Sequence, residues 1–558
     1  MASIVENLPN EPIWHLLLKA LTSYPHHIIV DDAQSGLEAD YTQLVTDMLH
    51  MRREILKALP PSMLDCDYRI IPQRPYITII APGNLDYIVA AFAVLSIGGA
   101  FAPIASNLLP EEASHLIKMT DSTCILASPR FMSKATQIQK HHAANGRTTV
   151  VIPIQVQNTR PDRIPQIQID QTTTIDPMSP GALIFTSGTT GPPKGVVRPR
   201  RVWYIEPPAF PSNQVFLNSR SPHAVGVALR LIWNVQRGSR IQLIEDSSKA
   251  IWERFRKGDV TLFSAAPPEY VDLMTYFKDN IDGLPAAERA EYVEGVRRLN
   301  EAAVSGGVTW PPVMAFWRDI LGRPLVNVYS STEVTTAMQT SDDTDSTLER
   351  CIGNPRHGVQ VKLSEGDHGE ILLQSPDMFT HYLGEEDTTR AAFDEDGYYK
   401  SGDFGHRVGD QYVFDGRAST DWIRRGGLKV QVHEVEASLV SLPYVSEAYV
   451  VSAVLNYRNQ IATLIRLRAT GKLNVNLSMV RADLAEKLNR YKLPTLLRVL
   501  QAGEVVPQTS GGKPSRRKIV EEFFTLSEES LSEAGVEFHN DTDVEGGAPR
   551  KLWDWGGL

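Results

Sequence analysis

The apolar run Ala182 to Phe185 is followed at once by Thr186-Ser187-Gly188-Thr189-Thr190-Gly191-Pro192-Pro193-Lys194-Gly195. A short apolar run bounded by turn residues has the pattern of a buried strand, so the loop after it emerges from a rigid support. Glycines let the main chain approach a ligand and point successive amides at anionic oxygens, hydroxyl side chains add donors, and Lys194 adds a positive charge. A loop of this kind can wrap a polyphosphate. It is not a Walker loop: Pro192 and Pro193 lie where a glycine would directly precede the lysine, and Gly195 stands where Ser or Thr would follow it.

Upstream of that loop, β-rich and helical runs alternate. Tyr76 to Ile80 reads as strand, Leu85 to Ile97 as helix, Ala100 to Pro103 as extended, Glu111 to Met119 as helix and Thr123 to Ala127 as strand. A second alternating region runs from about 220 to 330, with strands expected at Arg240 to Ile244, Leu262 to Ala265 and Leu325 to Tyr329. Such alternation signals stacked βαβ units, so the fold class is α/β, with two βα-type subdomains meeting at a cleft. After about 350 the glycine-punctuated segments Val359 to Leu363, Glu370 to Gln374 and Gln411 to Asp415 point to a smaller β-rich subdomain.

Beyond Arg417 the alternation restarts: helix at His433 to Val440, strands at Ala448 to Ala453 and Ile461 to Leu467, helix at Ser478 to Asn489. The expected organisation is a large N-terminal domain over 1–417, a hinge at 418–421, a smaller mobile α+β domain over 422–523 and an acidic, mostly disordered tail over 524–558.

The 558 residues exceed what one core holds, and a hydrophobic fraction of 42% is ample for packing. A formal net charge of −10 leaves no global basic field for nucleic acid or anionic lipid, so an anionic ligand must be held locally. Three widely spaced cysteines, Cys66, Cys124 and Cys351, exclude a disulfide framework and a cysteine-rich zinc site. The uncharged stretch Tyr87 to Ile104 is broken by Gly98-Gly99 and Pro103. About a dozen helical residues rise about 18 Å against a hydrocarbon core of about 30 Å, so a buried core helix is expected instead of a span. With no basic leader at the start and no Ser-Lys-Leu ending, a cytoplasmic location is expected.

Further motifs stand at expected strand ends. Tyr329-Ser330-Ser331-Thr332-Glu333 places hydroxyls and a carboxylate at a strand's C-terminal edge, where open α/β sheets bind ligands. Glu333 is a candidate Mg²⁺ ligand, since that ion takes a carboxylate together with phosphate oxygens. Asp403 follows a Gly turn and can accept two hydrogen bonds from ribose hydroxyls, and Arg417 can fork onto a sugar or phosphate. Pro507 to Lys513 puts a lysine on a glycine-rich loop. Taken singly, Glu333 and Lys513 read more readily as solvated surface charges, and Asp403 and Arg417 are ambiguous.

In this order the segments resemble the adenylate-forming superfamily of acyl-CoA synthetases, nonribosomal adenylation domains and luciferases, from about Pro12 to Phe523. The stretch Gly416 to Gly427, with Ser419 and its glycine pair, is most similar to the malonyl-CoA synthetase-like branch. The resemblance implies ATP, Mg²⁺ and coenzyme A as ligands. It assigns Thr186, Ser187, Gly188, Thr189, Thr190 and Lys194 to the β- and γ-phosphates, Ser305 and Gly306 to the adenine turn, and Tyr329, Ser330 and Thr332 to the nucleotide, Thr332 at the α-phosphate. It also assigns Glu333 to Mg²⁺, Asp403 and Arg417 to the ribose, and Lys513 to catalysis. His223, Val227 and Ser305 would border the acyl pocket, Ser419, Thr420 and Asp421 would form the hinge, and Gly426 and Gly427 would line a coenzyme A tunnel.

The implied reaction joins a carboxylic acid to AMP and passes the acyl group to coenzyme A. A carrier protein acting in trans is an alternative acceptor, and a non-catalytic nucleotide-binding homologue is an alternative of another class. No nucleic-acid partner and no membrane span are expected. His223 is expected as a pocket wall, since an ionised carboxylate needs no base. Three positions depart from the pattern: Ser330 replaces a glycine, Val197 to Arg201 stand where Thr-His is usual, and Val328 replaces the Arg of the malonate branch. A second carboxylate would lack that partner, which favours a monocarboxylic acid over malonate. Arg230 is expected to be a solvated helix charge, with the alternative that it faces the pocket and partners a second carboxylate there.

Overall fold

The computed structural model describes residues 5–33, 35–106, 108, 110–157, 161, 163–186, 193–307, 309, 311–341, 344, 348–417, 422–425, 428–455, 458–468, 475–508, 514–525 and 530–540. The two alternating regions build two sheets. In the first, the strand order is His381–Tyr382, Gly195–Pro199, Pro180–Phe185, Ala100–Pro103, Tyr76–Ile80, Cys124–Ala127, Val150–Pro153. Its last five strands are parallel, and Gly195–Pro199 folds back antiparallel on Pro180–Phe185. Pro180–Phe185 is thus the strand expected before the Gly/Thr loop, with Gly181 to Ile184 buried.

In the second sheet, Ile28–Asp32, Arg240–Leu243, Val215–Asn218, Leu262–Ala265, Glu301–Ser305 and Val326–Ser331 run parallel. Thr335–Gln339 then turns back, and Cys351–Pro355 pairs with it through Met338↔Pro355. The β-rich segment therefore extends this same sheet edgewise, through Gln411–Arg417, Tyr399–Val408, His368–Gln374 and Gln360–Leu363. One continuous core fills the space between the sheets around the helices Tyr41–Ala58, Leu85–Ser96 and Val225–Arg237. In Leu85–Ser96 every residue but Asp86 is buried, as expected of a core helix, and Asn84 caps it by accepting from the Asp86 N–H. Among the described residues no helix is long and apolar enough to cross a membrane.

The C-terminal segment has its own sheet, Val445–Leu455, Arg458–Leu467, Leu496–Val499 and Val536–Phe538, covered by the helices Val432–Val440 and Leu477–Ala485. Val536–Phe538 is an ordered exception within 524–558, where disorder was expected for most of the segment. It pairs antiparallel with Leu496–Val499, and Leu531 and Val536 are buried with Phe538 packed beside them. Three apolar side chains among acidic ones are enough to extend an existing sheet edge, although too few to show a period. The hinge residues Ser419, Thr420 and Asp421, the tunnel glycines Gly426 and Gly427, and Lys513 lie outside the described residues.

Candidate active site

The site is built where the two sheets meet. At the neck of the Gly/Thr loop the chain closes on itself: the Thr186 N–H donates to the Lys194 carbonyl at 2.9 Å, and the Lys194 N–H donates to Thr186 Oγ1 at 3.0 Å. Ser187, Gly188, Thr189 and Thr190 lie outside the described residues. The Lys194 ammonium stands 5.0 Å from the centroid of the Tyr382 ring, a distance at which a cation is attracted to an aromatic face. Tyr382 belongs to the same sheet, opposite Val196.

Glu333 comes from the other sheet, in the turn between Val326–Ser331 and Thr335–Gln339. Its carboxylate accepts from the Tyr382 hydroxyl at 2.9 Å on Oε1, while Oε2 has no hydrogen-bond partner among the described residues. Burial and the Glu333 charge both push the Tyr382 phenol upward, so it stays protonated and donating. Among the described residues no group of three His, Cys, Asp or Glu could hold a metal unaided. A single oriented carboxylate with one oxygen available nevertheless fits Mg²⁺, which is held by one or two carboxylates plus substrate phosphates.

The second part of the site is a network on Asp403, which is 4% exposed. Gly402 takes a left-handed φ of 71° and its N–H donates to Glu370 Oε1, a turn that aims the next side chain inward. Antiparallel register sets Asp403 opposite Arg417. Arg417 donates through Nε to Oδ1 at 2.6 Å and through Nη2 to Oδ2 at 3.0 Å, and the Tyr329 hydroxyl donates to Oδ2 at 2.8 Å. The bonds to Asp403 hold the Arg417 guanidinium firmly charged, and burial together with the carboxylate keeps Tyr329 protonated. A carboxylate offers about four acceptor sites and three are filled, which leaves room for a further donor.

Ser305 ends the strand Glu301–Ser305 beside Val328, and Gly306 turns the chain with a φ of 81°. Ser305, Gly306, Tyr329 and Ser330 therefore share neighbouring strand ends, where Thr332 and Glu333 follow. His223 is half-buried just before the helix Val225–Arg237, on which Val227 is buried. Arg230 corrects its expectation. Its guanidinium lies 5.6 Å from the Phe216 ring centroid and 3.9 Å from Glu301 Oε1, with 26% of the side chain exposed. It reaches from the helix over the sheet, towards the Glu301 carboxylate.

Two residues that pattern alone missed shape the site. Tyr382 sits in a two-residue strand with no motif around it. Arg198 was legible only as part of the departure over Val197 to Arg201, and the structure buries it in the strand Gly195–Pro199. Nearby, Arg200 forms a buried pair with Glu11, Nε to Oε1 at 2.7 Å and Nη2 to Oε2 at 2.6 Å, where Tyr204 and Trp14 also donate to Glu11.

Residues 71–383 match the family model described as AMP-binding enzyme. The acyl-CoA ligase oryP of Aspergillus oryzae is 31% identical over 528 residues, covering 93% of each chain. The mitochondrial malonate–CoA ligase ACSF3 of Xenopus laevis is 26% identical over 525 residues, 85% of this chain and 87% of the relative. Among solved structures, the O-succinylbenzoate coenzyme A synthetase MenE of Bacillus subtilis, in complex with ATP and a magnesium ion, superposes with a TM-score of 0.72 at 19% identity. That match covers 90% of this chain and 98% of the other.

Proposed function

The chain belongs to the AMP-binding enzyme family, and we propose from that premise that it is an acyl-CoA synthetase that joins a carboxylic acid to coenzyme A at the expense of ATP. In the first step a carboxylate oxygen attacks the α-phosphorus and the bond to pyrophosphate breaks. In the second the coenzyme A sulfur attacks the acyl carbon, the bond to AMP breaks and the thiol proton is released. Neither step needs a protein nucleophile, so the side chains align anions and neutralise charge.

In this reading the loop from Thr186 to Lys194 holds the β- and γ-phosphates, Thr332 the α-phosphate, and Glu333 the Mg²⁺ that, when bound with ATP, neutralises phosphate charge. Asp403 takes one ribose hydroxyl and Arg417 orients Asp403. Ser305, Gly306, Tyr329 and Ser330 frame the nucleotide, and His223 and Val227 wall the acyl pocket. Lys513, on a domain over 422–523 that turns about 418–421, bridges the two anions, and Gly426 and Gly427 admit the pantetheine arm.

The observation that carries the proposal is the meeting of the loop lysine and the strand-end carboxylate on the two sides of Tyr382, at 5.0 Å and 2.9 Å. The test is pyrophosphate release over a panel of short, medium, aryl and dicarboxylic acids, with and without coenzyme A. Acid-dependent AMP and pyrophosphate, with acyl-CoA formed when the thiol is added, is expected. ATP binding without AMP formation for any acid would contradict the proposal.

A further inference from the structure

Arg198 lies in the strand Gly195–Pro199 of the first sheet and is 0% exposed. Its guanidinium crosses to the second sheet, where Nη1 donates to the carbonyl of Glu333 at 2.5 Å and to that of Thr332 at 3.2 Å. Nη2 donates to the carbonyl of Asp377. The Glu333 carbonyl also accepts from the Phe379 N–H at 2.7 Å. No carboxylate hydrogen-bonds this guanidinium among the described residues, and the Asp377 side chain lies instead by Arg201, at 3.8 Å.

A buried cation whose partners are carbonyls is costly, and burial draws the Arg198 pKa down to about 10. An apolar side chain of similar length would fill this strand position at lower cost. What an apolar residue cannot do is span two successive carbonyls. With Nη1 on both of these carbonyls and Nη2 on that of Asp377, the planar guanidinium fixes how the Thr332–Glu333 peptide is turned, and hence where the Glu333 carboxylate points, relative to the strand that begins at the foot of the Gly/Thr loop.

We infer that Arg198 is a positioning residue that ties the Gly/Thr loop strand to the Thr332–Glu333 turn and presents the Glu333 carboxylate to the metal–nucleotide; this rests on the reading of Glu333 proposed above. The test uses the full chain carrying Arg198→Met or Arg198→Lys, with ligand-free melting temperature and calorimetric ATP binding across a Mg²⁺ titration. Arg198→Met is expected to melt within a few degrees of the parent or above it. Its Mg²⁺ requirement for ATP binding should rise about 10- to 100-fold, the scale seen when a partner outside the ligand shell is lost. A lysine ammonium can bond the two carbonyls that Nη1 holds but not that of Asp377 as well, so a smaller rise is expected.

If the methionine variant does not fold, the lysine variant decides by the same titration, and a parental Mg²⁺ requirement in a folded variant overturns the inference. Glu333→Gln separates the two layers. In that background Arg198→Met should add less than about twofold, since coupled residues are not additive. A full additional loss there overturns the positioning role alone, whereas a Glu333→Gln protein with unchanged Mg²⁺ requirement overturns the inference together with the reading beneath it.

Discussion

The hydroxyl of Tyr382 donates to Glu333 across the seam between two sheets, at 2.9 Å, while the face of the same ring lies 5.0 Å from the Lys194 ammonium. Tyr382→Phe keeps the ring for Lys194 and removes only the donor to the carboxylate. kcat/KM for ATP should fall about 10-fold, as for other partners that orient a ligating carboxylate, with little change in KM for the acid. An unchanged kcat/KM would mean that the carboxylate is oriented without this bond.

Glu11 and Arg200 are each 1% exposed and joined by two hydrogen bonds, and Arg200 also donates to the carbonyls of Gly99 and Leu95. Removing one partner leaves a charge buried and unpaired, which costs about 3–5 kcal/mol, whereas replacing both by apolar residues is often far milder. Urea unfolding should show Glu11→Ala strongly destabilised and the double variant Glu11→Leu with Arg200→Met markedly less so. Equal losses in the two would show that the pair's packing outweighs its charge.

Glu269 is held by burial at a pKa of about 7, with Arg220 3.7 Å away pulling the other way. Its folded pKa is above the unfolded value, so the native state binds more protons between about pH 4.5 and 7 and stability falls as pH rises through that window. Glu269→Gln removes the titration. Melting curves from pH 4.5 to 8 should be flatter for the variant, which gains about 1–3 kcal/mol relative to the parent at the alkaline end. Parallel curves would place the titration elsewhere.

Lys513 is proposed to bridge the carboxylate and the α-phosphate. Lys513→Ala should lower acid-dependent pyrophosphate exchange about 10²-fold or more, the scale of losing one preorganised donor. ATP binding should change far less. Unchanged exchange would remove Lys513 from the first step.

Much of the framework was legible because buried parallel strands are short apolar runs. Leu262–Ala265 and Ala100–Pro103 fall at their expected bounds, and Pro180–Phe185 ends where the Gly/Thr loop begins. Asp403 and Arg417 could be marked as site residues, but not their grip on each other, which depends on a register shift between Phe404 and Gly405. Tyr382 was invisible because its place is set by pairing with Val196, far away in sequence. Arg230 has a helical position that does not say on which side a long side chain finds its carboxylate, and Glu301 on the sheet decides it. Arg198 was visible only within the departure over Val197 to Arg201, and its partners are carbonyls, which no sequence pattern encodes.

The most direct measurement follows oxygen. With an accepted acid labelled by ¹⁸O in both carboxylate oxygens, attack on the α-phosphorus followed by transfer to coenzyme A leaves one labelled oxygen in each AMP. The account predicts AMP with a single ¹⁸O and unlabelled pyrophosphate. Label in pyrophosphate or orthophosphate, or AMP without label, would contradict an acyl adenylate and with it the central claim.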